Sequence, residues 1–329
     1  MELNGERLKM NFNTEINKED LDDKPRIMNA TCTKTIPLVS FTMADLPDKD
    51  RNKDAYDLIM AAANKTVRIT VSIVSPHRPN LWPKMSRPYP LYKEKLSNNI
   101  RTGTGEIDVC KVIDGYKYNA QLVREDVLLG ESETPYKTCP CETCQQSDKP
   151  SNTWWEVFVH TATHFVFDDV EARHTTCDLF YDDQDIPMVS FDKVSVHSVN
   201  TLKDKCVLKY VTCDVARGDQ LFKIVKIFEE LKHKVSETYM WRPNHLSKLK
   251  FLVTHPQAGC KQITVYESNG SDTTHFDSIT LSETACRCLL SCGACFHSIG
   301  KKNIFFRHGL QSIGYRVMPA GPNEVYLRH

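Results

Sequence analysis

The chain has 329 residues, of which 42 are basic, 42 are acidic and 40% are hydrophobic. A chain of this size can bury one large core or two modest ones, so a globular protein is expected. Balanced charge gives no general attraction to nucleic acid or to an anionic membrane, and no stretch approaches the eighteen or so apolar residues of a membrane span. We therefore predict that the protein binds neither nucleic acid nor membrane.

The amino-terminal residues indicate where the protein is located. Residues 1–18 are polar and lack the apolar segment of a secretory signal, which predicts a cytoplasmic protein. The thirteen cysteines are an odd number. Disulfides, reduced thiols, a metal site and a reactive cysteine are all compatible with that number.

Residues 1–98 are predicted to form an extension ahead of the main body of the protein. Apolar residues recur at helical spacing between Asp48 and Asn64, which predicts an amphipathic helix. Residues 67–74 alternate between apolar and polar in the pattern of a half-buried strand. Five prolines between residues 76 and 90 exclude a regular helix or a central strand from the segment that follows.

Residues 99–216 and 247–329 carry repeated short strand patterns with few helices between them. This favours antiparallel β-barrels over a doubly wound sheet. Residues 217–246 contain an apolar stripe at helical spacing and are predicted to form a helix that connects the two barrels. The predicted fold is all-β, with an amino-terminal extension, a first barrel, a connecting helix and a second barrel.

Three distant segments carry the residue types of a nucleophilic catalytic site. His164 follows one strand pattern, Asp214 follows another, and Cys292 lies between a small residue and a glycine in Ser291-Cys292-Gly293. Covalent catalysis by cysteine needs a thiol, an imidazole within hydrogen-bond reach and a group that fixes the tautomer of the ring. His164, Asp214 and Cys292 could supply these functions.

The order His, Asp, nucleophile and the segment Thr161-Ala162-Thr163-His164 resemble the trypsin-like, two-barrel peptidase superfamily. More narrowly, they resemble a group of uncharacterised invertebrate trypsin-like proteins. The resemblance implies two six-stranded antiparallel β-barrels and an endopeptidase that cleaves a polypeptide substrate by acyl transfer without a catalytic cofactor. His164 would be the general base, Asp214 would orient it and Cys292 would attack the peptide carbonyl.

The resemblance also assigns the residues around the nucleophile. The backbone N–H groups of Leu290 and Cys292 would form the oxyanion hole, and His308 with Gly309 would line the substrate pocket. The family usually has G-x-S-G at the nucleophile, so Leu290 replaces a glycine and Cys292 a serine. Loss of one oxyanion-hole donor typically costs on the order of 10²–10³ in rate. A catalytically inactive pseudoprotease that binds a protein partner is therefore the alternative.

Each member of the predicted triad also has a simpler interpretation. Cys292 could be a structural thiol or a disulfide partner, because other cysteines lie nearby in the sequence and cysteine is often buried. His164 could be an ordinary barrel histidine. Asp214 could cap a turn, as aspartates at strand ends commonly do. The sequence leaves these alternatives open.

Cys139, Cys141 and Cys144 form a C-x-C-x-x-C motif. Thiolates at such short spacing can share one zinc ion with a fourth ligand from elsewhere in the chain, which would make the zinc structural. A loop held by disulfides or carrying free thiols is the alternative. The candidates for the fourth ligand are Cys110, His160 and Cys177.

Overall fold

The computed structural model describes residues 35–84, 86, 88–120, 132–240, 250–266, 295–298 and 307–308. Within these ranges the chain is mostly antiparallel β-sheet with few helices, which confirms the all-β class. The described strands form one sheet of nine strands and one of five. The division into two six-stranded barrels is not confirmed and stays a prediction.

The larger sheet contains the strands that position the candidate site. Its strand order is β8-β7-β2-β3-β6-β10-β9, with β4 paired to β3 and β5 paired to β4. Every pairing is antiparallel. The strands are β2 (Thr66–Val71), β3 (Arg101–Ile113), β4 (Tyr116–Asn119), β5 (Ser132–Glu133), β6 (Thr153–Thr161), β7 (Thr175–Leu179), β8 (Val189–Phe191), β9 (Ser195–Asn200) and β10 (Lys205–Thr212).

Two glycines in β3 allow close packing on the concave side of this sheet. A Cβ atom at Gly103 would lie 2.7 Å from the ring of Phe165, and one at Gly105 would lie 2.6 Å from the side chain of Ile69. Such distances are shorter than carbon atoms tolerate, so neither position accepts a side chain without rearrangement. The absence of a side chain at Gly103 therefore lets β3 pack closely against the segment that follows β6.

The smaller sheet has the order β1-β12-β11-β13-β14. Its strands are β1 (Thr35–Pro37), β11 (Lys250–Thr254), β12 (Gln262–Tyr266), β13 (Cys295–Ser298) and β14 (Arg307–His308). Thus β1, from the predicted extension, pairs with β12, more than 200 residues later in the chain. The two sheets are also linked where the backbone N–H of His255 donates to the hydroxyl of Thr104 at 3.1 Å.

Four α-helices lie among the described residues, α1 (Lys53–Asn64), α2 (Glu142–Gln145), α3 (Asp169–Ala172) and α4 (Val215–Met240). The side chain of Asn52 caps α1 by accepting from the backbone N–H of Ala55 at 2.9 Å. The helix predicted for residues 217–246 is α4. Its apolar stripe packs in both hydrophobic cores, with Leu221 in the core of the larger sheet and Phe228 in the core beside α1. None of the helices in the described part of the chain has the length and apolarity needed to cross a bilayer.

The segment predicted to precede the first barrel contributes to the centre of the larger sheet. Strand β2 lies between β3 and β7, and Val67, Ile69 and Val71 are completely buried in its core. The alternating pattern of residues 67–74 therefore predicted the strand correctly. Its place inside the sheet depends on pairing with residues that are distant in sequence, which the pattern does not reveal.

Candidate functional site

His164 lies in a tight turn directly after β6. The backbone N–H groups of Phe165 and Val166 both donate to the carbonyl of Ala162 at 3.1 Å, which reverses the chain as it leaves the strand. The aromatic ring of Phe165 packs over Gly103 and 4.6 Å from the imidazole of His164. The imidazole is therefore held at the edge of the hydrophobic core of the larger sheet, and His164 is only 5% exposed.

Asp204 contacts His164 from the turn between β9 and β10. Its backbone has φ of +50°, a left-handed conformation that aspartate and asparagine adopt more readily than most residues. One carboxylate oxygen accepts from the hydroxyl of Thr163 at 2.7 Å and from the backbone N–H of His164 at 3.0 Å. The other oxygen lies 2.6 Å from Nδ1 of His164. We call these two residues the His164–Asp204 pair.

The contact with Asp204 decides which nitrogen of His164 can accept a proton. A carboxylate bound to Nδ1 favours the tautomer with the proton on that atom, so the lone pair is on Nε2. The Nε2 atom is buried, and no described residue forms a hydrogen bond with it. An oriented imidazole with an unoccupied acceptor nitrogen is the arrangement that a general base requires.

Asp214 lies at the opposite end of β10 from Asp204. Its carboxylate accepts from the backbone N–H of Arg217 at 3.0 Å, and its carbonyl accepts from the N–H of Gly218 at 2.8 Å. These are the hydrogen bonds of a helix N-cap, here at the start of α4. The structure places Asp204, rather than Asp214, against Nδ1 of His164, and the contacts of Asp214 match its capping interpretation.

The predicted nucleophile and oxyanion hole lie outside the described residues. This applies to Cys292 and Leu290, and also to Gly309 of the predicted substrate pocket, so their roles stay predictions. His308 is described in β14, where its backbone pairs with Cys295 of β13. Strand β13 begins three residues after Cys292 and contacts β3, the neighbour of β6 in the larger sheet.

Four cysteines converge at the carboxyl-terminal end of β10, next to Asp214. The sulfur atoms of Cys139, Cys141, Cys144 and Cys213 all lie within 4.8 Å of one another. Sγ of Cys213 is 3.8 Å from Sγ of Cys141 and 3.6 Å from Sγ of Cys144. We call these residues the four-cysteine cluster. The first three belong to the segment between β5 and β6, which includes α2, and Cys213 directly follows β10.

The sulfur positions fit a tetrahedral metal site. A tetrahedron with metal–sulfur bonds of about 2.3 Å has sulfur–sulfur edges of about 3.8 Å, which agrees with the two distances from Cys213. The eight cysteines from Cys110 to Cys260 form no disulfide. Trp154 and Val112 pack against the cluster and form an apolar environment around it. The four-cysteine cluster can therefore hold a metal ion.

The thiols of the cluster differ in how readily they ionise. Burial acts against ionisation of Cys141, but hydrogen bonds from the backbone N–H of Cys144 and from the neighbouring thiols lower its pKa. Burial and the same neighbours raise the pKa of Cys213 to about 11. A bound divalent cation would favour all four thiolates, since a thiol that coordinates a metal ion is deprotonated and releases its proton to the solvent.

The fourth member of the cluster is none of the residues predicted for that position. Cys110 lies on β3, where burial raises its pKa to about 11. Nε2 of His160 lies 3.0 Å from a carboxylate oxygen of Asp108. Cys177 is completely buried in the core of the larger sheet. Sequence spacing identified three of the four cysteines, but the fourth directly follows β10, which its pairing with β6 brings near.

Searches of family models, curated proteins and solved structures find no match to this chain. Its function is therefore inferred from the His164–Asp204 pair, the four-cysteine cluster and the sequence of the predicted nucleophile segment.

Proposed function

We propose that the protein is a thiol endopeptidase in which the His164–Asp204 pair is the base and Cys292 is the nucleophile. The observation that carries the proposal is the 2.6 Å contact between Asp204 and Nδ1 of His164, with Nε2 buried and without a hydrogen-bond partner among the described residues. His255 is also buried with an Nε2 that has no hydrogen-bond partner among the described residues, so this feature alone does not mark a base. What distinguishes His164 is that a carboxylate, rather than a backbone carbonyl, holds its Nδ1.

The proposed reaction is acyl transfer through a thioester. Nε2 of His164 takes the proton of Cys292, and the thiolate attacks the carbonyl carbon of the substrate peptide bond. The tetrahedral intermediate collapses, the C–N bond breaks and the imidazolium returns the proton to the leaving amine. Water, deprotonated by His164, then cleaves the thioester and releases the acid product. Asp204 holds the ring throughout and stabilises the imidazolium.

The resemblance to trypsin-like peptidases supplies the remaining parts of the proposal. Two six-stranded barrels would each contribute to the cleft, the N–H groups of Leu290 and Cys292 would hold the oxyanion, and His308 with Gly309 would line the pocket. A cytoplasmic location belongs to the same proposal. It is supported by the free thiols of the eight cysteines from Cys110 to Cys260, because a reducing compartment keeps thiols free.

The pseudoprotease alternative is favoured by one specific observation. Nε2 of His164 is buried, whereas a base that accepts a proton from an attacking thiol must be reachable from the substrate cleft. In that interpretation the same sheets would present a surface to a protein partner. Selective reactivity of Cys292 separates the two functions, because a binding module has no need of an activated thiol.

The test is the rate at which iodoacetamide or a peptide chloromethylketone modifies Cys292, located by peptide mass spectrometry. We expect modification of Cys292 to be faster than that of Cys110 by on the order of 10²-fold or more, because its thiol would be deprotonated by the imidazole. The variant His164→Ala should remove that difference. His255→Ala, which changes another completely buried histidine, is the matched control and should leave it intact. Uniform labelling of the cysteines in the unmodified protein would contradict the peptidase and support the binding module.

We propose further that the ion of the four-cysteine cluster is zinc and that it is structural. Four thiolates leave no open coordination position for a water or a substrate, which distinguishes structural from catalytic zinc sites. The ion would join the segment before β6 to the junction between β10 and α4. Iron is the main competitor, because tetrahedral sulfur sites take either metal.

Elemental analysis of the purified protein, with cobalt substitution, tests the identity of the metal. We expect one zinc ion per chain, and after exchange for Co²⁺ an intense thiolate-to-cobalt absorption and the visible bands of tetrahedral coordination. Iron at equal stoichiometry would contradict the choice of zinc but keep the site. Absence of any bound metal after reconstitution in reducing buffer would contradict the site itself.

A further inference from the structure

A completely buried glutamate lies next to the turn that carries His164. Glu171, in α3, is 0% exposed. Its Oε1 accepts from Nε of Arg78 at 2.6 Å, and its Oε2 accepts from Nη2 of the same guanidinium at 2.8 Å. Nη2 of Arg101 lies 2.6 Å from Oε2. We call Arg78, Glu171 and Arg101 the buried ion triad.

The remaining donors of the triad bind the backbone of the His164 turn. Nη2 of Arg78 donates to the carbonyl of His164 at 3.0 Å, and Nε of Arg101 donates to the carbonyl of Phe165 at 2.9 Å. Glu171 accepts from the backbone N–H of Phe167 at 2.8 Å. The backbone groups of His164, Phe165 and Phe167 are thus fixed by the three charged side chains of the triad. Arg78 and Arg101 also each bind Glu171.

The triad also joins this turn to the proline-rich segment and to β3. Glu171 accepts from the backbone N–H of Ser75 at 2.8 Å, and Nη1 of Arg78 donates to the carbonyl of Pro90 at 3.0 Å. Arg101 opens β3 and donates to the carbonyl of Ile73 at 2.8 Å. The proline-rich segment therefore supplies a buried guanidinium, that of Arg78, to the turn.

Stability alone is a poor explanation for this arrangement. Moving charged groups out of water costs several kcal/mol per ion, and replacing a buried ion triad by apolar residues can be neutral or stabilising. Charged groups fix the orientation of neighbouring groups better than apolar groups do, because a guanidinium binds carboxylates and carbonyls at fixed angles. Burial lowers the pKa of Arg101 to about 10, with Arg78 acting in the same direction, so it is still protonated at neutral pH.

We infer that Glu171, together with Arg78 and Arg101, is a positioning device that fixes the His164 turn so that Nδ1 of the imidazole meets Asp204. The placement of the ring is independent of any reaction, whereas its catalytic consequence rests on the peptidase function proposed above. The triad touches neither substrate nor reacting atoms. It acts through the carbonyl groups of His164 and Phe165, which accept hydrogen bonds from Arg78 and Arg101.

Glu171→Gln is the direct test, and Glu156→Gln is its matched control. The glutamine is nearly isosteric but leaves two buried guanidinium groups without their counter-charge. Glu156, on β6, is also 0% exposed and pairs with Lys209 at 2.6 Å and Lys117 at 2.8 Å, but it does not bind the His164 turn. Both substitutions remove a completely buried carboxylate that binds two cations, so a general loss of stability would affect them similarly.

The first readout is the low-field proton resonance of a histidine Nδ1–H bound to a carboxylate, assigned by its loss in Asp204→Asn. We expect Glu171→Gln to weaken or abolish this resonance and Glu156→Gln to retain it. The second readout is the rate of Cys292 alkylation, which should fall on the order of 10²-fold in Glu171→Gln, since displacement by about 1 Å has effects of that size. The control should keep the rate of the unmodified protein.

Arg78→Lys covers the case in which Glu171→Gln does not fold. The lysine keeps the charge but cannot bind Glu171 through two nitrogens and the carbonyl of His164 as well, so an intermediate loss of the resonance is expected. An unchanged resonance in a folded Glu171→Gln or Arg78→Lys variant, or an equal loss in Glu156→Gln, would overturn the inference. A changed resonance with an unreactive Cys292 in the unmodified protein would instead contradict only the peptidase function.

Discussion

The two ends of β10 carry the two candidate sites and differ in what completes each one. Asp204 directly precedes the strand and is fixed by three hydrogen bonds to Thr163 and His164, so the protein alone supplies the geometry. Cys213 directly follows the strand and meets three sulfurs from another segment, for which a bound ion would supply the geometry. One strand register sets both ends, because Cys206 pairs with Thr161 and Thr212 pairs with Trp155. Strand β10 therefore allows a site that the protein forms by itself, the His164–Asp204 pair, to be compared with one that a bound ion would complete, the four-cysteine cluster.

Removing a ligand from the four-cysteine cluster should have the largest effect. Apparent binding free energies of structural zinc are about 10–16 kcal/mol in small domains, and the affinity depends on all four thiolates. We expect Cys213→Ser to lose its zinc to a chelator that leaves the unmodified protein loaded, and to melt at a lower temperature. Metal content after dialysis and thermal unfolding measure the two effects.

Cys110→Ser is the control for that experiment, because Cys110 lies on β3, which pairs with β6, but outside the four-cysteine cluster. It should keep one ion per chain and the melting temperature of the unmodified protein to within a few degrees. If Cys213→Ser held zinc as firmly as Cys110→Ser, the ion would not bind at this end of β10.

The substitution Asp204→Asn tests the His164–Asp204 pair, at the other end of β10. The amide cannot hold the proton of Nδ1 as a carboxylate does, so the imidazole is expected in the wrong tautomer for a base. In serine peptidases the equivalent change costs about 10⁴ in turnover, and we expect alkylation of Cys292 to fall on the order of 10³-fold or more. Kinetics of iodoacetamide labelling at fixed pH give the rate.

Asp214→Asn is the paired variant for this prediction. Asparagine caps helices about as well as aspartate, so neither the fold nor the labelling rate should change by more than about twofold. A larger loss in Asp214→Asn than in Asp204→Asn would restore the orienting role that the sequence predicted for Asp214.

The sequence predicted the local part of the metal site and missed the distant part. Cys139, Cys141 and Cys144 lie within six residues, so their spacing alone indicated shared coordination. Cys213 lies 69 residues after Cys144 and reaches it only because β10 pairs with β6. Which residues of distant strands become neighbours depends on strand order and register, and neither is encoded in spacing.

The orienting role predicted for Asp214 stays a prediction, although in the structure the carboxylate that contacts His164 is that of Asp204. Both aspartates flank the same strand, and a strand-end aspartate is equally compatible with a cap and with a catalytic role. One signal could have separated them. Asp214 directly precedes α4, which is the position of an N-cap, whereas Asp204 lies in the turn before β10.

A second buried histidine separates the effect of the carboxylate from the effect of burial. Nδ1 of His255 lies 3.2 Å from the carbonyl of Gly259. Burial and the positive charges of Lys261 and Arg68 lower the pKa of His255 to about 3, although the Gly259 carbonyl opposes the shift. Among the described residues, His255 thus has no anionic partner comparable to Asp204 at His164.

This pKa gives a dependence of stability on pH with a definite sign. A histidine in the unfolded chain has a pKa of about 6.5, so between pH 6.5 and 3 the unfolded state binds more protons than the folded state. The contribution of His255 is complete above pH 6.5 and is lost as the pH falls, by up to about 1.4 kcal/mol of unfolding free energy per pH unit. Urea unfolding of His255→Gln should show a shallower decline than the unmodified protein over this range. Parallel curves for the two proteins would contradict the low pKa.

The smallest expected effect is that of Asp214→Ala, and it tests how the metal end of β10 is coupled to α4. Loss of an N-cap costs about 1 kcal/mol of unfolding free energy. Cys213 directly precedes the cap, and Gly218 lies so close to Trp155 that an added Cβ would be 2.1 Å from the indole, so the first turn of α4 is pressed against β6.

With the ion in place this turn cannot fray, and the full cost of the missing cap should appear. After chelation the turn is held by packing alone and can open, and an opened turn has no cap to lose. We therefore expect the difference between Asp214→Ala and the unmodified protein to shrink when the metal is removed, as a double-mutant cycle with the metal as one arm would measure. Equal differences with and without the ion would show that the four-cysteine cluster and the start of α4 are energetically independent, despite being adjacent in the chain.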